Sequence, residues 1–275
     1  MPARILLALL PLLVSSAALA AEPSVFIPDA LAQFNAHARF PLPELSPAQL
    51  ERLVAGKMVK IRQVSEEDGG PQRAVGLLRT AEPAAGLWLS TRDVHFTATP
   101  ELIEVRLTPP GQWPSRWYQL LDLPRPFDDR QWVVDVADTH ALSTATGGRA
   151  WEHAWTLSPD GPRIGAEAVA AGRVPGVDTD RGEDAIYTPV NHGAWLVIAL
   201  PDGGSLLGYH VTSIIGGAVP DRLVADYALF TLGKVLHGVE ERTRAVIEHY
   251  DAAHEPIEGG DGVGIQPHLG HAPAL

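Results

Sequence analysis

Between Gly203 and Tyr250 a Gly-Gly pair, a strand-like run and a Pro-led amphipathic segment follow one another, and they restrict the fold more than any other stretch. Gly203-Gly204 joins two apolar runs, the signature of a tight turn. Ser205 to Ile215 reads as a strand, Gly216-Gly217 and Pro220 as a break, and Pro220 to Tyr250 as one long helix. Proline suits the first helical turn, because its missing N–H would find no partner there and its φ is already helical. Leu229, Leu232, Leu236, Val239, Thr243, Val246 and Tyr250 recur at alternating spacings of three and four, which puts them on one helix face. Leu223, Tyr227 and Phe230 widen that face near its start. So broad an apolar face needs a large concave cover, and a curved antiparallel sheet supplies one.

The upstream chain contains the strands. Gly56 to Ser65 and Gln72 to Thr80 form a hairpin across the polar turn Glu66 to Pro71. Leu102 to Leu107 alternates, with Ile103, Val105 and Leu107 on one side and Glu104 and Arg106 on the other; the charged side is expected to face water. Further strands are read at Ser115 to Leu123, Arg130 to Ala137, Arg149 to Leu157, Asp184 to Pro189 and Gly193 to Leu200. In the third of these Trp151, His153, Trp155 and Leu157 share a face. Short helices are read at Ala48 to Val54, capped by Ser46 with Pro47 as first helical residue, and from Pro83 to Thr91. The connections between strands are too short for parallel crossovers. The expected fold class is therefore α+β, a bent antiparallel sheet wrapped around a long C-terminal helix. Residues 21–44 are expected as an extended leader, 158–183 as an inserted loop and 251–275 as a disordered tail.

The 275 residues include no Cys, which excludes a disulfide framework, a thiolate metal site and a thiol nucleophile. Residues 1–20 have the form of a secretion signal: Arg4, an apolar run from Ile5 to Val14, then Ala18-Leu19-Ala20. That run is shorter than the ~20 residues of a bilayer span. Cleavage after Ala20 would place the mature chain in the periplasm or outside the cell. It removes Arg4 and no acid, taking the net charge from −12 to −13. Such a balance disfavours nucleic acid, and a permanent anionic-lipid partner, while leaving transient membrane contact open. His249 and His254 are five apart and no H-E-x-x-H run exists, so no metal site is expected. Ser205 lacks the G-x-S-x-G context, and Gly260, Gly262 and Gly264 follow no strand, so neither a nucleophile elbow nor a dinucleotide loop is read.

Two patches carry a family likeness. One is Leu123-Pro124-Arg125-Pro126-Phe127-Asp128-Asp129-Arg130-Gln131-Trp132-Val133. The other runs Gly193-Ala194-Trp195, then Tyr209-His210-Val211-Thr212, then Gly216-Gly217-Ala218-Val219-Pro220. In this order before a long last helix, they resemble the START-type lipid-transfer domains of the helix-grip (SRPBCC) superfamily, which also holds polyketide cyclases, and the chain would be an exported bacterial member. Gln131 stands where that family usually has Asp. The resemblance implies a helix-grip domain over residues 45–250, a cavity between sheet and helix, a lipid-like ligand and no cofactor. Candidate ligand-binding residues are Arg130, Trp132, Trp151, His153, Trp155, Trp195, Tyr209 and Tyr227. Arg130 serves either a ligand head group or a structural ion pair, and the aromatic positions are either lining or core, because a one-residue slip exchanges the faces. A non-enzymatic carrier is the first reading. The alternatives are a cyclase- or hydrolase-like enzyme using His153 with Arg130 or Glu104, and an interaction module with a filled core.

Overall fold

Nine strands share one sheet in the computed structural model, which describes residues 23–65, 70–92, 101–109, 112–217, 221–244, 257–260, 262 and 264–265. The expected secretion signal lies outside these residues. The strands are β1 (Val59–Val64), β2 (Gln72–Thr80), β3 (Leu102–Arg106), β4 (Ser115–Leu121), β5 (Arg130–Asp138), β6 (Ala150–Leu157), β7 (Ile186–Tyr187), β8 (Val190–Ala199) and β9 (Ser205–Ile214). Their order is β1-β2-β9-β8-β6-β5-β4-β3, all antiparallel, with β7 pairing parallel to β5. The helices are α1 (Pro23–His37), α2 (Pro47–Val54), α3 (Ala84–Arg92), α4 (His140–Ala145), α5 (Gly161–Ala170), α6 (Thr179–Asp184) and α7 (Asp221–Thr243). A small pair, β10 (Ile257–Glu258) with β11 (Gly264–Ile265), stands apart.

The register fixes the phase that the sequence left open. Gly76 lies opposite Tyr209, Tyr209 opposite Trp195, Trp195 opposite His153, and His153 opposite Asp138. Directly opposed residues share a face, so this row crosses the inner face of five strands. Helix α7 covers the β2 end of that row. Gly76 is glycine because a Cβ there would lie 2.9 Å from Leu236 Cδ1 and 3.3 Å from a Leu232 methyl. Leu232, Leu236, Val239 and Thr243 are buried against the sheet and α3, as their spacing requires. Polar ties fix the helix along its length: Lys60 Nζ donates to Leu229 O at 2.6 Å, and Thr80 Oγ1 to Glu240 at 2.6 Å.

The outer face is closed by helices in two places. Over β1, β2, β9, β8 and β6 lie α1, α2 and α4, with Ile27, Phe34, Leu53 and Leu142 fully buried on Val75, Leu77, Leu196 and Leu206. Over β4 and β5 lies α5, where Ala168 and Val169 pack on Tyr118, Leu120 and Val133. Helix α2 starts as expected, with Ser46 and Gln49 making a reciprocal capping box.

Three expectations are corrected. Residues 21–44 are not an extended leader over their described part: 23–37 form α1. Its prolines masked an i, i+4, i+7 pattern at Ile27, Leu31 and Phe34, and burial of those side chains outweighs the hydrogen bond that Pro28 removes. Residues 158–183 are not a loop: they hold α5 and most of α6, the latter capped by Asp178, whose side chain accepts from Arg181 N. In the tail, 251–275, the described residues include the β10–β11 pair, and Gly260 is buried against the Trp151 ring while its carbonyl meets His140 Nδ1 at 3.1 Å.

Candidate functional site

The inner face beyond α7 is a wall of aromatic side chains. Tyr209 lies between Trp155, tilted against it with ring centroids at 5.5 Å, and Trp195, edge-on at 4.6 Å. Trp88 of α3 meets Trp151 edge-on at 5.2 Å. Toward the other edge Trp132, Val134 and Val136 form a separate cluster with Leu102, Trp117, Leu121, Trp155 and Leu157. Two of the indole N–H groups are satisfied within the wall: Trp155 Nε1 donates to Asn191 Oδ1 at 2.9 Å, and Trp132 Nε1 donates to Gln119, whereas Trp151 Nε1 is buried without a hydrogen-bond partner among the described residues. The Trp132 and Trp155 ring faces then present apolar surface without an unpaired donor. Trp117, Trp155, Trp195, Tyr209, Leu102, Leu121 and Leu157 are only partly buried, whereas facing positions on the outer side such as Tyr118, Leu120 and Val133 are fully buried.

A charged cluster sits at the α3 end of this wall. Asp138 Oδ1 accepts from Arg92 Nη1 at 2.7 Å and from His153 Nδ1 at 2.5 Å. Arg92 Nη1 and His153 Nδ1 are 2.8 Å apart, and since a guanidinium only donates, the shared carboxylate is the acceptor for both. That places the His153 proton on Nδ1 and makes Nε2 the acceptor. Burial lowers the His153 pKa, the Arg92 charge lowers it further, and Asp138 opposes both without prevailing. Burial works to raise the Asp138 pKa, but the His153 hydrogen bond and the Arg92 charge bring it below the usual value. The resting cluster is Arg⁺, Asp⁻ and neutral His. The Arg92 guanidinium also lies 5.0 Å over the Trp113 ring.

Glu104 and Arg106 lie on the inner face of the sheet, not on a wetted outer face as the sequence pattern suggests. Glu104 is opposite Gln119, which is opposite Trp132, so the charged side of β3 is the inner one. The reason is α5: with its companions it covers the outer side of β4 and β5, and Ile103 and Val105 join that apolar cluster. Glu104 accepts from Gln119 Nε2, and burial raises its pKa against that bond. Burial raises the Tyr209 pKa, and the Glu104 carboxylate adds to the rise. Four strands separate β9 from β3 in the sheet order, so this influence crosses the concavity rather than the sheet.

Of the candidates named from sequence, Trp132, Trp151, His153, Trp155, Trp195 and Tyr209 fall on the inner face together. Arg130 lies at the opposite end of β5 from Asp138, and its hydrogen bonds go to the carbonyls of Asp128, Asp129 and Gly216. Tyr227 is 47% exposed on α7. The expected pairing of His153 with Arg130 or Glu104 is corrected to Asp138 and Arg92, because the β5–β6 register opposes His153 to Asp138. Asp138 was legible in retrospect as the next inward position after Trp132, Val134 and Val136; Arg92 and Trp113 reach the cluster from segments distant in sequence. Among the described residues no group of three or more His, Asp or Glu is placed to hold a metal ion.

No protein-family model and no curated sequence matches the chain. Solved structures do. A STAR-related lipid transfer protein from Xanthomonas axonopodis superposes with a TM-score of 0.50 at 16% identity, covering 68% of this chain and 93% of that one. The fold is START-like. Human STARD10 matches with a TM-score of 0.48 at 14% identity, over 70% of this chain and 71% of that one. Human StAR-related lipid transfer protein 5 matches at 0.44 and 11%, over 83% and 98%. In this START-like frame Arg130 joins the two sequence patches, since the P-x-P turn and the Gly-Gly turn meet through its bond to Gly216 O at 2.9 Å.

Proposed function

We propose that the protein binds and carries an apolar, lipid-like molecule on its inner face, between the aromatic wall and α7. The observation that carries this reading is the asymmetry of the sheet. Its outer face is closed by helices, while Trp117, Trp155, Trp195 and Tyr209 on its concave face stay half-covered beside the buried Trp132 and Trp151. Surface of that kind is stabilised by an apolar occupant at roughly 25 cal/mol per Å² buried. The Xanthomonas axonopodis protein of this fold, a lipid transfer protein by name, supports the same reading. We further propose that residues 1–20 direct export and that loading and unloading take place during brief membrane contact. Lipid extracts of the purified mature protein are expected to yield an apolar species approaching one per chain by mass spectrometry. Empty extracts, together with no binding of a fluorescent acyl-chain probe, would overturn the carrier.

Chemistry on the bound molecule is a second reading, favoured by one observation: Asp138 orients His153 so that Nε2 has no hydrogen-bond partner among the described residues. Incubating the loaded protein and finding its ligand unchanged in mass over hours removes this reading.

A further inference from the structure

Among the described residues, Arg106 is an inner-face guanidinium that no carboxylate pairs. Arg92 is neutralised by Asp138 at 2.7 Å. Arg62, beneath α7, is paired with Asp226 at 3.2 Å, and Lys60 is spent on a helix carbonyl. Arg106 has no carboxylate partner among the described residues. Its contacts are Nε to Thr108 Oγ1 at 3.5 Å, Nη2 to Gln112 O at 3.4 Å, and the Trp117 ring at 5.9 Å. Both hydrogen bonds are at the long limit, so most of its five donors remain unspent. Glu104, two residues away on the same face, is bonded to Gln119 and pushed by burial toward its neutral form. The Arg92 and Arg106 charges also oppose each other, since burial and then Arg92 lower the proton affinity of Arg106. In a chain of net charge −12 such a cation beside an apolar wall is not background.

We propose that the ligand is an anionic amphiphile, with its apolar body on the aromatic wall and a carboxylate-sized head group received by Arg106. This rests on the carrier reading above and names its ligand class. A planar guanidinium with free donors takes a carboxylate through two parallel bonds, and an alcohol or ester head group forfeits that charge-assisted pair. Arg92, held by Asp138 and stacked on Trp113, marks the far side of the head-group position without being available itself.

The test is displacement of the neutral fluorophore N-phenyl-1-naphthylamine from the delipidated mature protein at pH 7.5. Dodecanoic acid is expected to displace it at about tenfold lower concentration than 1-dodecanol, the gain of one charged hydrogen-bonded pair. Arg106→Gln should bring acid and alcohol to within a factor of two by weakening the acid alone, and Arg106→Lys should restore part of the preference. Arg106 is partly exposed, so both variants are expected to melt within a few degrees of wild type. Equal displacement by acid and alcohol overturns the anionic ligand and leaves the carrier standing. A preference that survives Arg106→Gln overturns the assignment to Arg106. Failure to bind the fluorophore or either amphiphile overturns the carrier and this proposal together.

Discussion

At Arg130 a charged side chain only 1% exposed holds main chain. Its three carbonyl partners belong to the turn before β5 and the turn before α7, and Gly217 at φ +69° leaves room for it, since a Cβ there would lie 2.6 Å from Arg130 Nη2. Arg130→Met should cost about 2–4 kcal/mol in urea unfolding, because it strips buried carbonyls of a charged donor. Ligand preference in the folded fraction should be unchanged. The neighbouring Gln131 explains its own departure from the family pattern: Nε2 donates to Gly182 O and Ala185 O, and a carboxylate has nothing to donate. His210, on the outer face, is buried beside Phe40, and neither ring nitrogen has a partner. Burial, with Arg73 and His192 nearby, lowers its pKa to about 3. The unfolded chain, near 6.5, takes up that proton first, so stability is lost as pH falls below about 6.5, at up to ~1.4 kcal/mol per pH unit. His210→Leu should flatten the drop in urea midpoint between pH 7 and pH 5; an unchanged slope would assign the acid sensitivity elsewhere.

At the scale of elements, α7 is seated by close approach to β2. The helix face was legible because a 3.6-residue period survives any tertiary arrangement, and Leu232, Leu236, Val239 and Thr243 are buried as that period requires. The site on the strand that accepts it was not, because Gly76 carries no apolar signal of its own. Gly76→Val should destabilise by about 1–3 kcal/mol through overpacking against Leu236 and Leu232, and raise amide exchange in α7. Adding Leu236→Ala should recover part of that loss, and strict additivity of the two changes would count against direct contact. Helices α1, α5 and α6 show the opposite case. Their sequences are rich in Pro, Gly and Asp; α1 and α5 are held in shape by what they cover, Ile27 and Phe34 on the β1-β2-β9 side and Ala168 on Tyr118 and Val133, while α6 buries no residue and is held by its Asp178 cap.

For the whole molecule, local pattern was enough to name the alternating strands, their antiparallel pairing, the capped α2 and the long last helix. Each of these depends on periods and end signals written in adjacent residues. Which face of each strand turns inward is a different kind of fact. A period of two is symmetric between faces, so it could not tell that Glu104 and Arg106 point in while Ile103 and Val105 point out. That choice was made by α5, a helix more than fifty residues downstream that covers the outer side. The Arg92–Asp138–His153 cluster likewise joins α3, β5 and β6, which meet only when the sheet has curled. The order of residues alone therefore settled the main strands, their antiparallel character, α2 and the last long helix, because hydrogen-bonding and helical periods are local. The chemical character of the concave face, aromatic with the Arg106 guanidinium beside it, was settled only in three dimensions, because it depends on which side of the sheet the helices left open.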